Sequence, residues 1–170
     1  MLRLAFEKKK VMLCDVNPRS EVHGAEREPA CDLKFRIDCE SGVLSEFAPT
    51  LKSFLYFKDE SKDVDGTNDL ADQASDAPNL RFPSLVQPIK WDSEMLNATL
   101  TVHHGIGGKS DIVLQDVKIN AFSIEAREGG TVSLTFRVQC HPDEKALGKL
   151  AVQVQNEVEI TLEPIELTDG

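Results

Sequence analysis

The fold class this sequence predicts is α+β, built from two copies of one strand-rich unit, and three observations carry the prediction. Val11 to Val16 reappears without a gap as Ile112 to Val117, 101 residues later, and Leu33 to Cys39 reappears at the same offset as Leu134 to Cys140. Between residues 11 and 39, eight positions are identical in the second copy: Leu13, Asp15, Val16, Ala25, Leu33, Phe35, Arg36 and Cys39. Second, Leu33, Phe35, Ile37 and Cys39 alternate with Lys34, Arg36 and Asp38, and Leu134, Phe136, Val138 and Cys140 repeat the alternation. A period of two marks a strand with one buried face. Third, apolar residues at helical spacing follow each copy. Self-similarity at a fixed offset reports one supersecondary unit made twice, and an apolar sheet face needs a second layer to cover it. The expectation is therefore a strand-strand-strand-helix-strand unit present twice, with antiparallel sheets each backed by a helix and a pseudo-two-fold between them. All of 1–170 is then a single compact domain, with repeats at 1–58 and 91–165 and an acidic mobile insert at 59–79.

Taken in order, Leu2, Leu4 and Phe6 alternate as a first strand, and Lys8 to Lys10 read as a turn into a second strand over 10–16. Pro18, Gly24 and Pro29 break regular structure between Asn17 and Pro29. In the second copy Ile119, Phe122 and Ile124 carry a strand on to the tight turn at Gly129-Gly130. The third strands are 31–39 and 131–140. Val43, Leu44, Phe47, Leu51, Phe54 and Leu55 form a helical stripe after a cap at Ser41, and Pro49 inside it predicts a kink or two short helices. In the second copy Pro142, Asp143 and Glu144 open a helix whose stripe is Leu147, Leu150, Ala151 and Val154. Val158, Ile160 and Leu162 alternate as a closing strand. Between the copies, 85–91 and 95–104 read as strands around Asp92-Ser93. Residues 59–79 hold seven acids and one lysine without an aromatic, a composition too polar to offset its ordering entropy.

Composition excludes several functions. With 170 residues, 41% of them apolar, the chain can bury a core, while its longest apolar runs, such as Phe54 to Phe57, fall far short of a membrane span. The amino-terminal charges follow the apolar residues, the reverse of a signal peptide, so a cytoplasmic protein with no membrane contact is expected. Cys14, Cys31, Cys39 and Cys140 form no C-x-x-C pair and read as reduced packing residues. A formal charge of −10 argues against direct nucleic-acid binding, which needs clustered Lys and Arg.

No constellation points to an enzyme, a metal or a cofactor, and none is expected. Ser61 to Asp72 resembles a calcium loop but lacks the acid at its first position and the bidentate Glu at its twelfth. His103 and His104 are neighbours on a strand, so they face opposite ways and do not share an ion. The turn from Gly105 to Ser110 joins two strands and opens no helix, so it lacks an anion-binding dipole. Asp15 with Arg36, and Asp116 with Arg137, are the charged positions kept in both copies. They read as cross-strand ion pairs or Arg stems covering the sheet edge, or else as two equivalent partner-binding sites, and Phe82 and Trp91 are candidates for an apolar contact surface.

The stretch from Phe136 through His141-Pro142-Asp143-Glu144 and Leu147-Gly148-Lys149-Leu150 to Ile160 resembles small uncharacterised proteins of phage and prophage genomes. The resemblance carries no active-site motif. It implies an accessory or regulatory binding protein that works by protein–protein contact, one version being an acidic inhibitor of a DNA-binding protein. The rival is a nucleic-acid-processing factor of clamp-like or recombination-accessory type, because duplicated strand–helix units also build sliding clamps.

Overall fold

The computed structural model describes residues 2–58, 77–104 and 110–167, with the backbone alone at 21–23 and 27–28. The strands are β1 (Phe6–His23), β2 (Glu26–Glu40), β3 (Tyr56–Phe57), β4 (Asn79–Leu80), β5 (Ile89–Trp91), β6 (Met95–His103), β7 (Ile112–Ala126), β8 (Thr131–Cys140) and β9 (Glu157–Glu163). The α-helices are α1 (Leu44–Phe47), α2 (Leu51–Leu55) and α3 (Glu144–Val152). Seven strands form one sheet in the order β5-β7-β6-β9-β1-β2-β8, and β7 also pairs with β8. Six of them therefore follow one another in a closed cycle of pairings, with β5 added beside β7. β3 and β4 form a separate two-stranded sheet.

This overturns the α+β expectation: the protein is mostly β, and among the described residues no helix layer backs each sheet. The longest helix among the described residues, α3, has nine residues, and α1 and α2 have four and five. The physical reason lies in the cycle of pairings. A sheet closed on itself turns one face of every strand inward, so alternating apolar residues cover one another and need no helical layer.

Three local expectations change with it. Lys8 to Lys10 make no turn. They lie within β1, where the register against β9 slips between Phe6 and Lys9 and Lys8 takes φ 45. A bulge absorbs the extra residue and the strand continues. Nor does the chain break at Asn17: β1 runs on to His23 and β2 starts at Glu26, with Pro18 opposite Cys31 and Ser20 opposite Pro29. The strand expected over 85–91 shortens to β5, and the 85–88 stretch is largely exposed. Pro49 separates α1 from α2, as its missing N–H and its ring demand. The helical stripe before it starts with a 3₁₀ turn at Ser41–Val43 whose cap position is Glu40, not Ser41.

The chain folds as two compact units. In the first (1–37, 91–122 and 135–170), the core comes from the inward positions of the paired strands. Leu13, Leu33, Phe35, Leu100, Val117, Ile119, Phe136, Val138 and Ile160 are buried there. Phe136 stacks 5.9 Å from Phe35 and 6.3 Å from Phe122. Phe35 and Phe136 are equivalent positions of the sequence repeat. Asp143 caps α3 by accepting from the Ala146 N–H at 2.7 Å, and Leu150 is the buried residue of that helix. The stripe expected there is narrower than its spacing suggests, because Ala151 is exposed and Val154 lies past the helix end.

The second unit comprises residues 38–90 and 123–134. Its buried residues include Leu44, Leu55, Tyr56, Ile124, Ala126, Val132 and Leu134. The acidic stretch Asp59 to Asp76 lies outside the described residues, as do its calcium-like pattern and the glycine-rich 105–109.

Candidate partner-binding site

The second unit carries an exposed apolar cluster whose geometry follows from one short helix. Successive residues of a helix point about 100° apart, so burying Leu55 on the inner side of α2 turns Phe54 outward. After the helix, Tyr56 and Phe57 pair with Leu80 and Asn79. The chain beyond β4 is then held against α2. The Arg81 N–H donates to the Leu55 carbonyl at 2.9 Å and its Nε donates to the Ser53 carbonyl at 3.1 Å. The guanidinium sits 5.6 Å from the Phe57 ring centroid, a cation–π distance. With Arg81 fixed, Phe82 falls onto Phe54, ring centroids 5.0 Å apart and tilted by 44°. A turn closed by the Leu85 N–H on the Phe82 carbonyl at 3.0 Å then presents Leu85 and Val86.

Phe54 is 54% exposed, Phe82 44%, Leu85 37% and Val86 84%. Scattered exposed apolar residues are ordinary, but two exposed aromatics in mutual contact, followed in the next turn by two further exposed aliphatics, are the kind of feature that marks contact surfaces. Tyr56 anchors its base. The Tyr56 hydroxyl donates to the carbonyls of Arg127 at 2.7 Å and Thr131 at 3.1 Å. Burial pushes that phenol up to about 12, against a smaller opposing pull from the Arg127 backbone hydrogen bond.

The residues singled out from the sequence fall in different places. Asp15 is exposed on β1, and a bulge at Cys14 puts it opposite Lys34, while Arg36 faces Met12. Asp116 is exposed at a bulge in the β6–β7 register, with φ 54. A short polar side chain tolerates this left-handed conformation better than most, which gives a local reason for an Asp there. Arg137 pairs with Asn120, its Nε donating to Oδ1 at 3.0 Å, and Asn120 in turn donates to Gln139 Oε1 at 3.2 Å. The Asp15–Arg36 register and the Arg137 partner thus differ from the cross-strand pairs expected. Phe82 belongs to the apolar patch. Trp91 is half-buried at the end of β5, in the other unit. Helical spacing places Phe54, the other aromatic of the patch, in a core stripe, and nothing in that spacing distinguishes it from Leu55.

No disulfide links the four cysteines. The Cys140 thiol donates to the Cys31 carbonyl at 3.4 Å. Its hydrogen bond with the Cys31 side chain and its burial hold it well above the ordinary thiol range, so it is an inert packing group. Among the described residues no group of three or more His, Cys, Asp or Glu is placed to hold a metal ion, and no helix is long and apolar enough to cross a membrane. No family model, curated protein or solved structure matches the chain.

Proposed function

We propose that the protein is a phage-type accessory or regulatory binding protein that acts by protein–protein contact through the Phe54–Phe82–Leu85–Val86 face. The observation that supports this reading most is the patch itself, an aromatic pair in mutual contact yet left about half exposed. Aromatic anchors at the centre of a contact face contribute most of the energy of typical interfaces. The pairing of Phe57 with Asn79 joins the described residues that flank the acidic stretch. Residues 59–79 carry a net −6 of the chain's −10. Apolar anchors on an acidic chain suit a partner with an apolar pocket edged by Lys and Arg, the chemistry of a protein surface that itself binds nucleic acid.

The test uses the full chain as bait in extracts of its native host, read by quantitative mass spectrometry. Three baits are compared: the natural sequence, a double variant Phe54→Ser and Phe82→Ser, and a variant with the acids of 59–76 changed to Asn or Gln. A basic protein held by the natural bait and lost from both variants supports the reading. A partner held equally by all three contradicts it.

A further inference from the structure

A second constellation, independent of the partner-binding face, lies in the first unit. β6 pairs with β9 so that Thr101 faces Thr161 and His103 faces Glu159. His103 and Thr161 are therefore diagonal neighbours, and a long side chain spans that distance. Their strand neighbours Val102 and Ile160 point inward and are buried, which places His103 and Thr161 together on the outer face. β7 begins opposite the end of β6, with Ile112 across from Val102, and this brings Asp111 to the other side of the imidazole.

The result is a carboxylate–imidazole–hydroxyl relay. His103 Nδ1 is 3.0 Å from Asp111 Oδ2, and His103 Nε2 is 2.7 Å from Thr161 Oγ1. The Asp111 carboxylate is held on its other oxygen by the His104 N–H at 3.2 Å. Its hydrogen bond with His103 keeps the Asp111 carboxyl below its ordinary range. An ionised carboxylate only accepts, so Nδ1 carries the imidazole proton and Nε2 offers its lone pair to the threonine hydroxyl. The Lys8 N–H, positioned by the β1 bulge, donates to Thr161 Oγ1 at 3.1 Å. That bond leaves the hydroxyl hydrogen to point at Nε2. His103 and Asp111 side chains keep 20% and 17% of their surface open, and Thr161 is half-buried, so small reagents reach the relay.

We propose that Asp111, His103 and Thr161 form an acyl-transfer site for small activated esters, with Thr161 as nucleophile and His103 as general base. A hydroxyl within hydrogen-bond reach of a base that a third group orients is the arrangement that activates such nucleophiles. In the acylation step the Thr161 proton passes to His103 Nε2 while Oγ1 bonds to the acyl carbon. The ester C–O bond breaks, and the leaving alkoxide or phenoxide takes the proton from Nε2. Water, deprotonated by His103, then attacks the threonyl ester, releases the carboxylic acid and restores the hydroxyl.

The probe is p-nitrophenyl acetate, added to the full chain, with nitrophenolate release followed by absorbance and the acetyl group located by peptide mass spectrometry. Release above the buffer rate, an acetyl group on Thr161 when the reaction is quenched early, retention in Thr161→Ser and loss in Thr161→Val are expected. His103→Gln should slow release by about 100-fold, the lower end of what general-base catalysis contributes. Peptide mapping of the natural protein decides the matter even if a variant fails to fold. Acetylation confined to lysines, or a rate that His103→Gln leaves unchanged, overturns the proposal.

Discussion

Replacing Tyr56 by Phe separates a hydrogen bond from an ionisation in a way that the structure quantifies. At neutral pH the change removes a phenol O–H that donates to two carbonyls, those of Arg127 and Thr131. Neither carbonyl is orphaned. The Gly130 N–H still donates to Arg127 at 3.3 Å, and the Arg127 N–H still donates to Thr131 at 2.9 Å. The cost is therefore that of an ordinary net hydrogen bond, about 1 kcal/mol, without the larger penalty of a buried unsatisfied group. Alkaline pH reverses the comparison. The Tyr56 phenol is raised from an ordinary 10.0 to about 12 in the folded protein, so the unfolded chain loses this proton first. Between those two values the unfolded state binds fewer protons than the native state, and stability falls as pH rises. Near pH 11 the natural protein should have lost about 1.4 kcal/mol through this one group, and the phenylalanine variant none. Urea unfolding of both proteins at about pH 8 and about pH 11 checks this, because every other titrating group is common to the pair. The natural protein should lead near neutrality and lose that lead at the higher pH. An equal stability difference at both pH values would refute the assignment of Tyr56 as a buried, hydrogen-bonded phenol.

Core packing, backbone strain and net charge each give a further test. Phe136 touches both Phe35 and Phe122 at full burial, so Phe136→Ala should cost about 3–5 kcal/mol in denaturant unfolding. Ala121 is exposed and holds φ 54, a conformation that costs a Cβ-bearing residue about 1 kcal/mol. Ala121→Gly should raise stability by about 0.5 kcal/mol after the added unfolded-state entropy is subtracted, and a loss would show that the left-handed backbone at this position is not strained. Gel shifts with single- and double-stranded DNA should show no complex with a −10 protein; tight binding would favour the clamp-like reading over the protein-binding one.

The part of this fold that the sequence displays is the part governed by period two. Leu33, Phe35 and Ile37, and Leu134, Phe136 and Val138, alternate in the sequence and are all buried. Closure is not displayed. The pattern of one strand states which face is apolar, but not whether a helix or the far side of the same sheet covers it, because that depends on pairings such as β6 with β9 and β7 with β8. Bulges are equally hidden. Lys8 to Lys10 have the composition of a turn, yet one residue at positive φ keeps the strand going. The exposed face is half visible: Phe82 stands in a polar setting, whereas Phe54 sits in a stripe whose other members include the buried Leu44 and Leu55. The relay of His103, Asp111 and Thr161 leaves no local signature, since its hydroxyl is 58 residues from its imidazole and only strand pairing joins them.

Amide hydrogen exchange of the natural protein, alone and with the basic protein it captures, shows whether the Phe54–Phe82 face is where the partner docks. Exchange should slow at Leu51 to Tyr56 and at Arg81 to Val86, the backbone beneath the Phe54–Phe82 face. Protection confined instead to the strands around Asp15, Arg36, Asp116 and Arg137, with Phe54 and Phe82 unchanged, would contradict it.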